Sequence, residues 1–180
     1  MELRTRRLVL RPVTLNDADA MLEYRGDPAV ATYLTHPALD LAAVRLAVGR
    51  SVALWSSQDH ERFNLLFAVD LDNVLIGEVH AWNTAESLQP TSPDPAEVWI
   101  GYAFNPRYRG FGYATESVRG SIEWLFARAA HSVFANCYLD NIASIALLER
   151  LDFTECARYS AEQDATQKHA ASCRMRLDRP

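Results

Sequence analysis

The sequence predicts a three-layer α/β domain built around one mixed sheet. Two observations lead to this prediction. Short apolar segments typical of strands alternate with segments whose apolar residues repeat at helical spacing, and residues 97–104 are apolar on both faces. The predicted order is strand, two helices, three strands, helix, strand, helix and two strands. This order favours helices on both faces of the sheet, in a single domain that covers residues 1–180.

The first third of the chain is predicted to hold one strand and two helices. Residues 6–12, RRLVLRP, read as a strand that ends at a proline. Thr14 and Asp17 have the spacing of a capping box, which predicts a helix start, and Asp40 begins a second helix. Both helices carry apolar residues along one face, as expected of helices that cover a sheet.

The middle of the chain is predicted to hold three strands. Residues 63–70 and 74–82 flank residues 71–73, a turn suited to a hairpin. The polar, proline-containing segment 83–96 is predicted to be a long surface loop. Residues 97–104, EVWIGYAF, have the pattern of a central strand buried on both sides.

The end of the chain follows a glycine-containing turn. After that turn we expect a helix and then a strand at 132–139. A short helix at 141–150 is predicted to have an apolar side made of Ile142, Ile145 and Leu148. Residues 153–160 and 170–177 are predicted to form the last pair of strands, around a polar loop.

The composition argues against several classes of function. The chain of 180 residues carries a net charge of −5 and no block of Lys or Arg, which argues against a nucleic-acid partner. Its three cysteines are scattered, so we expect free thiols, a reducing compartment and no metal site. No apolar run approaches the roughly 20 residues needed to cross a bilayer, and the N-terminus lacks a signal-peptide pattern. We therefore expect a cytoplasmic protein with no membrane partner.

The turn at 109–115, RGFGYAT, has the composition of an anion site. It lies between a predicted strand and a predicted helix, where free backbone N–H groups and the helix dipole favour negative charge. Gly110 and Gly112 leave room for a ligand, and Arg109 adds a cation suited to phosphate oxygens. A tight turn that binds nothing has the same composition, and the G-x-G-x-x-G and G-x-x-x-x-G-K-[ST] motifs are absent. The two glycines alone leave both interpretations open.

Three segments resemble the GNAT superfamily of N-acetyltransferases. Residues 109–114, RGFGYA, match its Q/R-x-x-G-x-G/A signature. Residues 141–153, NIASIALLERLDF, resemble its N-x-x-S-x-x-x-L-E-K-x-G-F segment. Residues 3–21 resemble the start of the subgroup that contains the ribosomal-protein N-terminal acetyltransferases. The three matches occur in the right order and span most of the chain.

The resemblance implies acetyl-CoA as the acetyl donor and a mostly antiparallel sheet that splays apart at the coenzyme. It places the pantetheine arm against Tyr102, Ala103 and Phe104. It also implies direct attack of an amine on the thioester, and homodimers are common among such proteins. The backbone N–H groups that would hold the pyrophosphate are those of Arg109, Gly110, Phe111, Gly112, Tyr113, Ala114 and Thr115.

Two glutamates are candidates for the general base. Related enzymes often use a strand glutamate. Glu97 begins the central strand and Glu78 lies on the preceding one. Each could equally be a solvated residue at a strand end. His80 shares a face with Glu78 and is either a base near neutral pH or a structural histidine.

Ser144 and Asn141 are candidates for contact with the coenzyme. Many GNAT members carry a tyrosine acid seven residues after the motif asparagine, but here that position is Leu148. The subgroup carries a serine where Ser144 stands. This serine protonates or hydrogen-bonds the coenzyme sulfur, or it only caps the helix. Asn141 bonds the pantetheine amide, caps the helix, or does both. Asp152 replaces the usual glycine after the helix, so we expect a left-handed conformation there at a small cost in stability.

The identity of the acceptor is open between three hypotheses. The subgroup resemblance favours a protein N-terminal α-amine. The alternatives are a small amine, such as an antibiotic, a polyamine or an amino acid, and a non-catalytic acyl-CoA-binding module. We expect segments 26–39 and 83–96 to shape the acceptor site, because specificity often varies in loops on a rigid scaffold. Acidic residues within 86–97 are suited to attract a cationic amine.

Overall fold

Eight strands form one sheet in the computed structural model, which describes residues 1–55, 63–84, 91–163 and 170–180. The strands are β1 (Leu3–Arg4), β2 (Leu8–Pro12), β3 (Asn64–Leu71), β4 (Val74–Trp82), β5 (Glu97–Phe104), β6 (Ser132–Tyr138), β7 (Thr154–Tyr159) and β8 (Ser172–Asp178). Their order across the sheet is β1-β2-β3-β4-β5-β6-β8-β7. Among these described strands only β5 and β6 pair in parallel, so the predicted mixed, mostly antiparallel sheet is confirmed.

Helices cover both faces of this sheet. They are α1 (Ala18–Arg25), α2 (Pro28–Ala31), α3 (Leu41–Trp55), α4 (Tyr113–Ala127) and α5 (Ile142–Glu149). Val44 of α3 packs in one core cluster with Leu66 of β3. Val118 of α4 packs in the other cluster with Phe67, the next residue of the same strand. Because successive side chains of a strand point to opposite faces, the predicted three layers are confirmed.

The local sequence signals predicted for the starts of α1 and α3 are present. The Asp17 carboxylate accepts hydrogen bonds from the Thr14 backbone N–H (2.6 Å) and hydroxyl (2.9 Å), and the first turn is a 3₁₀ turn. The Asp40 carboxylate accepts from the backbone N–H of Ala43 at 2.8 Å, just before α3. These short polar side chains satisfy N–H groups that a helix start leaves without partners.

The β3–β4 hairpin is closed by the predicted turn. Asp72 and Asn73 have φ angles of 50° and 65°, and Leu71 pairs with Val74. Two consecutive positive φ values are the mark of a type I′ turn, and Asn and Asp tolerate them better than most residues. The register of the hairpin is therefore set locally.

Three expectations about the fold differ from the structure. Segment 26–39, expected to be a loop, contains the short helix α2. The first predicted strand begins at Leu8 rather than at residue 6, because residues 5–7 form a turn. This turn connects β2 to β1, where Leu3 pairs with Leu10 and Arg4 with Val9. The apolar side predicted for α5 is wrong at Ile142, which is 68% exposed. Leu147 and Leu148 are the buried residues of α5, so its second turn attaches the helix to the core.

Parts of two predicted loops, residues 85–90 and 164–169, lie outside the described residues. The acidic position Glu86 falls in the first of them. In the parts of the chain that the structure describes, no helix is long and apolar enough to cross a bilayer.

Candidate coenzyme site

The sheet opens between β5 and β6. The two strands pair only at Glu97 with Ser132, Val98 with Val133 and Trp99 with Phe134. After Trp99 they separate, so residues 100–104 and 135–138 face one another across a gap within the described sheet. One edge of β5 remains bonded to β4, and the other edge offers unpaired backbone groups to a ligand. The predicted splay is thus present, and it opens toward the glycine turn.

The residues predicted to line the pantetheine arm lie along this open edge. Ala103 is buried against the α1 and α3 layer, whereas Tyr102 and Phe104 pack on the α4 and α5 side. Tyr102 pairs with Val79 and Ala103 with Glu78 on β4. Their contact with the coenzyme remains a prediction.

A short chain of hydroxyl and thiol groups lies beside the gap. The hydroxyl of Tyr102 lies 2.7 Å from Ser144 Oγ on α5, which lies 3.3 Å from Cys137 Sγ on β6. Burial raises the pKa of Tyr102 well above its usual range, so the phenol keeps its proton. Burial also raises the pKa of Cys137, to about 11, although the Ser144 hydrogen bond opposes this effect. At neutral pH all three groups are therefore protonated.

Asn141, and not Ser144, caps α5. The side-chain oxygen of Asn141 accepts from the Ser144 backbone N–H at 3.2 Å. The Ser144 hydroxyl instead lies between Tyr102 and Cys137, so the interpretation of Ser144 as only a helix cap is wrong. The capping role of Asn141 is confirmed, and its bond to the pantetheine amide remains a prediction.

The turn after β5 presents a row of free donors. Gly110 and Gly112 have φ angles of 85° and 79°. Glycine adopts this left-handed conformation at little cost, because it has no Cβ. Within the described residues, the backbone N–H groups of residues 110–115 have no hydrogen-bond partner. A Cβ on Gly110 would meet nothing within 4 Å, so this side of the turn is open. Three of these six adjacent free N–H groups lie in the turn and three in the first turn of the 15-residue α4, and together they suit a diphosphate.

Arg109 differs from the other residues of the turn. Its backbone N–H donates to the carbonyl of Pro106 at 3.2 Å and is not available to a ligand. Its side chain is exposed beside the turn, so Arg109 can reach a phosphate only through its guanidinium.

Asn105, which sequence reasoning missed, anchors the beginning of the turn. It is buried, and its backbone N–H donates to the Ile76 carbonyl on β4 at 2.9 Å. Its side-chain oxygen accepts from Arg107 N–H at 3.1 Å, and its amide nitrogen donates to Glu23 at 3.0 Å. The asparagine directly after a buried strand and before a proline was the available signal.

Glu78 is engaged in a buried ion pair. The Arg25 guanidinium donates to both carboxylate oxygens, with Nη2 at 2.6 Å from Oε1 and Nε at 2.9 Å from Oε2. The Tyr24 hydroxyl donates to Oε2 at 2.9 Å. Burial opposes the charge of Arg25, but Glu78 outweighs it and the pKa of Arg25 is raised. Accepting a proton from a substrate would therefore leave a buried arginine without its counter-charge, which is costly. The interpretation of Glu78 as a solvated strand-end residue is wrong.

His80 is a weak base in this environment. Burial, together with the positive charge of Arg25, lowers the pKa of His80 to about 3. Its Nε2 bonds the side-chain oxygen of Asn64, and its ring packs against Trp82 with centroids 4.6 Å apart. The structural interpretation of this histidine fits these contacts.

Glu97 lies at the closed end of the splay. It pairs with Ser132, at the opposite end of β5 from the glycine turn. Tyr102 follows Glu97 by five positions, which corresponds to roughly 17 Å along an extended strand. Glu97 and Ser144 thus mark two ends of the site, and a basic role for Glu97 remains a prediction.

The first of the two segments predicted to shape the acceptor site lies close to the residues that precede the glycine turn. Asp27 from segment 26–39 lines a cleft together with Glu23, Asn105, Pro106 and Arg107.

Comparison with known proteins agrees with this geometry. The family model described as "Acetyltransferase (GNAT) domain" matches residues 7–154. The chain belongs to the GNAT acetyltransferase family. It is therefore an acetyl-CoA-dependent N-acetyltransferase, and the resemblance noted in the sequence is confirmed.

Individual GNAT relatives cover nearly the whole chain at low identity. An uncharacterized N-acetyltransferase, YnaD of Bacillus subtilis (strain 168), is 24% identical over 157 residues, which is 84% of this chain and 81% of the relative. A Salmonella typhimurium acetyltransferase structure, described as modifying the N-terminal serine of a 50S ribosomal subunit protein, matches with a TM-score of 0.82 and 16% identity over all of both chains. Mycobacterium smegmatis RimJ, solved in complex with CoA-disulfide, has a TM-score of 0.76 and 21% identity, covering 99% of this chain and 86% of RimJ. At these identities the two structures establish a shared fold.

Proposed function

We propose that this GNAT protein acetylates the N-terminal α-amine of a protein or peptide by direct attack on the thioester. The observation that carries the proposal is the state of the two central polar side chains on β4. Glu78 is held in an ion pair and the pKa of His80 is about 3, so neither is suited to take a proton from an ammonium group. An α-amine has a pKa of about 7.7–8.0 and is partly neutral at physiological pH, whereas a lysine at about 10.4 is almost fully charged. The site therefore favours an acceptor that needs little help from a base.

The structural neighbours support the same class of acceptor. The Salmonella typhimurium neighbour is described as acting on the N-terminal serine of a ribosomal protein. The similarity extends over the full length of both chains, including the segments that surround the splay. A protein N-terminus is therefore the acceptor class we assign to this chain.

The residues of the chain would hold the donor as follows. Acetyl-CoA supplies the acetyl thioester when bound. Free N–H groups of residues 110–115 would bind its pyrophosphate, with the Arg109 side chain as an additional cation. The open edge of β5 at Tyr102–Phe104 would bind the pantetheine amides, as an added strand would be bound.

Ser144 and Tyr102 would stabilise the leaving sulfur. Tyr102 keeps its proton, so it can donate to Ser144 Oγ and leave the Ser144 proton free to face the sulfur. The coenzyme thiol has a pKa of about 8.5 and a phenol about 10. Because the pKa of Tyr102 is raised further, moving its proton to the thiolate is unfavourable. We therefore assign to this pair a hydrogen bond to the thiolate rather than the transfer of a proton.

Cys137 would not carry the acetyl group. A pKa of about 11 leaves almost no thiolate at neutral pH, and the thiolate is the nucleophilic form. Direct transfer to the amine needs no such intermediate. The thiol of Cys137 instead packs beside Ser144 at the β6 side of the gap.

Release of the coenzyme thiol tests the proposal. The panel should contain peptides with a free α-amine, the same peptides with a blocked α-amine and a free lysine, and small amines such as a polyamine. We expect release with the free α-amine alone. We also expect kcat/KM to rise with pH and level off near the pKa of the peptide α-amine, because neither Glu78 nor His80 is suited to act as the base.

Other outcomes would point elsewhere. Release with small amines but not with peptides would replace the proposed acceptor by a small molecule. Thermal stabilisation by acetyl-CoA with no release for any amine would indicate an acyl-CoA-binding module. A pH profile that did not move between peptides of different α-amine pKa would show that a group of the enzyme acts as the base.

A further inference from the structure

The turn between β1 and β2 contacts the start of α4. Three bonds from residues 5–7 converge on the Glu116 carboxylate. The Thr5 hydroxyl donates to Oε1 at 2.6 Å, the Arg7 backbone N–H donates to Oε1 at 2.7 Å, and Arg7 Nε donates to Oε2 at 2.7 Å. Burial alone would raise the pKa of Glu116, but these bonds outweigh it and hold the pKa below its usual range. The contact is therefore a charged, well-connected one, although Arg7 itself is on the surface.

A glycine on α4 makes this close contact geometrically feasible. Gly120 lies one helical turn after Glu116, and a Cβ placed on it would be 2.8 Å from Thr5 Cγ2. Glycine inside a helix is unfavourable by about 0.5–1 kcal/mol relative to alanine. Here it lets the β1–β2 turn approach the helix backbone.

Arg7 also reaches the glycine turn itself. Its Nη1 donates to the carbonyl oxygen of Phe111 at 3.0 Å. Its guanidinium carbon lies 4.5 Å from the centre of the Tyr113 ring, and its Nη2 would be 3.6 Å from a Cβ on Gly112. The arginine is thus held at three sides, by Glu116, by the Tyr113 ring and by the backbone of the turn.

The bond to Phe111 determines where the next N–H group points. The peptide that joins Phe111 to Gly112 is trans, as are the other peptides between described residues. In a planar trans peptide the C=O and the N–H point in opposite directions. A carbonyl held by Arg7 therefore presents the Gly112 N–H on the other side of the turn, away from Arg7.

We propose that Arg7 is a positioning residue for the pyrophosphate cradle: it orients the Phe111–Gly112 peptide so that its N–H faces the ligand. The inference rests on the proposed binding of the coenzyme pyrophosphate at residues 110–115. Glu116 neutralises Arg7, so the effect comes from fixing backbone donors in place and not from adding positive charge. It assigns a role to an arginine that the sequence pattern placed only within a predicted strand, at residues 6–12.

Calorimetric binding of CoA to Arg7→Met and Glu116→Gln tests the proposal. We expect Kd for CoA to rise about 5- to 20-fold in both variants. The second variant is decisive, because removing a negative charge next to a phosphate site would by itself tighten binding. Arg6→Met is the matched control, because it removes the same charge from an exposed arginine that has no hydrogen bond or ion pair within the described residues. Its Kd should stay within about twofold.

A truncated acetyl donor distinguishes a loss of pyrophosphate binding from general damage to the active site. Turnover of S-acetylpantetheine, which lacks the pyrophosphate, should keep the same kcat/KM in Arg7→Met as in the unchanged protein. Equal losses with both donors, or unchanged CoA binding in both variants, would overturn the proposal. A protein that bound no CoA even without substitution would instead refute the coenzyme site itself. Melting temperatures of the variants without ligand show whether each one is folded.

Discussion

At the scale of single residues, the site depends on which protons are held in place. Ser144 Oγ lies within hydrogen-bonding distance of the Tyr102 hydroxyl and the Cys137 thiol. Tyr102 is the stronger donor of the two, because a thiol donates only weakly, and burial keeps the phenol protonated. In the proposed arrangement Tyr102 donates to Ser144 Oγ, and the Ser144 proton is free to face the coenzyme sulfur. We therefore expect Tyr102 to act through Ser144.

Substitution of this pair should affect turnover more than coenzyme binding. A hydrogen bond to a charged group contributes about 1.5–3 kcal/mol, so we expect Ser144→Ala to lower kcat by about 10- to 100-fold. Tyr102→Phe should lower kcat less, because the serine donor remains. Kd for CoA should change by less than about threefold in each. Steady-state kinetics and calorimetry measure the two effects.

The double variant provides the sharper comparison. If Tyr102 acts through Ser144, the double variant should be no slower than Ser144→Ala alone, since interacting residues are not additive. Additive losses would show that Tyr102 works independently. Ser117→Ala is a suitable control, because this buried serine donates only to backbone carbonyls of α4 and should leave kcat unchanged.

At the scale of elements, α4 and α5 end in the same way but with different residues. Each has a residue with positive φ after its last turn, Ala129 at 71° and Asp152 at 66°. Each also has the pair of backbone bonds of a Schellman motif. After α4, the N–H groups of Ala130 and Ala129 donate to the carbonyls of Leu125 and Phe126. After α5, those of Phe153 and Asp152 donate to the carbonyls of Leu148 and Glu149. The left-handed conformation expected of Asp152 is confirmed. Alanine in this conformation is the more strained of the two, because it lacks a polar side chain that bonds locally.

Glycine at these two positions should stabilise the protein by different amounts. We expect Ala129→Gly to raise the free energy of unfolding by about 1 kcal/mol and Asp152→Gly by about half as much. For a protein of this size, 1 kcal/mol corresponds to roughly 2–4 °C in Tm. Ala127→Gly, two residues earlier and still within the helix, should destabilise the protein by about 0.5–1 kcal/mol. Calorimetry measures all three, and a lower Tm for Ala129→Gly would contradict the assignment of strain.

At the scale of the whole molecule, ion pairs join segments that are distant in the sequence. Arg11 of β2 donates to Asp17 before α1 and to Asp70 of β3, at 2.7–2.8 Å. Arg7 joins the N-terminal turn to α4, and Arg25 joins α1 to β4. Burial opposes ionisation of Asp17, but the bonds from Arg11 and Thr14 outweigh it and lower the pKa of this carboxyl. The pKa of Glu116 is lowered in the same way.

These lowered pKa values predict loss of stability in acid. A carboxyl whose pKa is lower in the folded state binds fewer protons there than in the unfolded chain, so stability rises with pH through that range. The contributions of Asp17 and Glu116 should be complete above their unfolded pKa values of about 4. They should disappear as the pH falls through the lowered folded values.

Urea unfolding at a series of pH values measures this effect. The free energy of unfolding contributed by these two groups should change little between pH 7 and about 5 and should decline from there to about pH 3. Asp17→Asn should be less stable at pH 7 and should show a shallower decline in acid, because one of the linked groups is gone. An equally steep decline in that variant would show that Asp17 is not one of these groups.

The order of strands and helices followed from local patterns. Thr14 with Asp17, Asp40, and the positive-φ pair Asp72 and Asn73 act within a few residues of themselves, so their effects could be predicted. The glycine turn and the segment that begins at Asn141 likewise carried the family assignment, because both motifs are contiguous. Ile142 was misassigned because periodicity alone does not show which part of a short helix touches the core.

The sequence by itself therefore determined the order of the elements other than the short β1 and α2, the glycine turn and the family. Only the tertiary structure decided the partners of the site residues. It placed Tyr102 beside Ser144, 42 residues away, and Arg7 beside Glu116, 109 residues away. It also paired Glu78 with Arg25 across 53 residues, which made a candidate base into part of an ion pair. Turns, caps and periodicity depend on neighbouring residues, whereas these contacts depend on strand register and on how helices pack across the sheet.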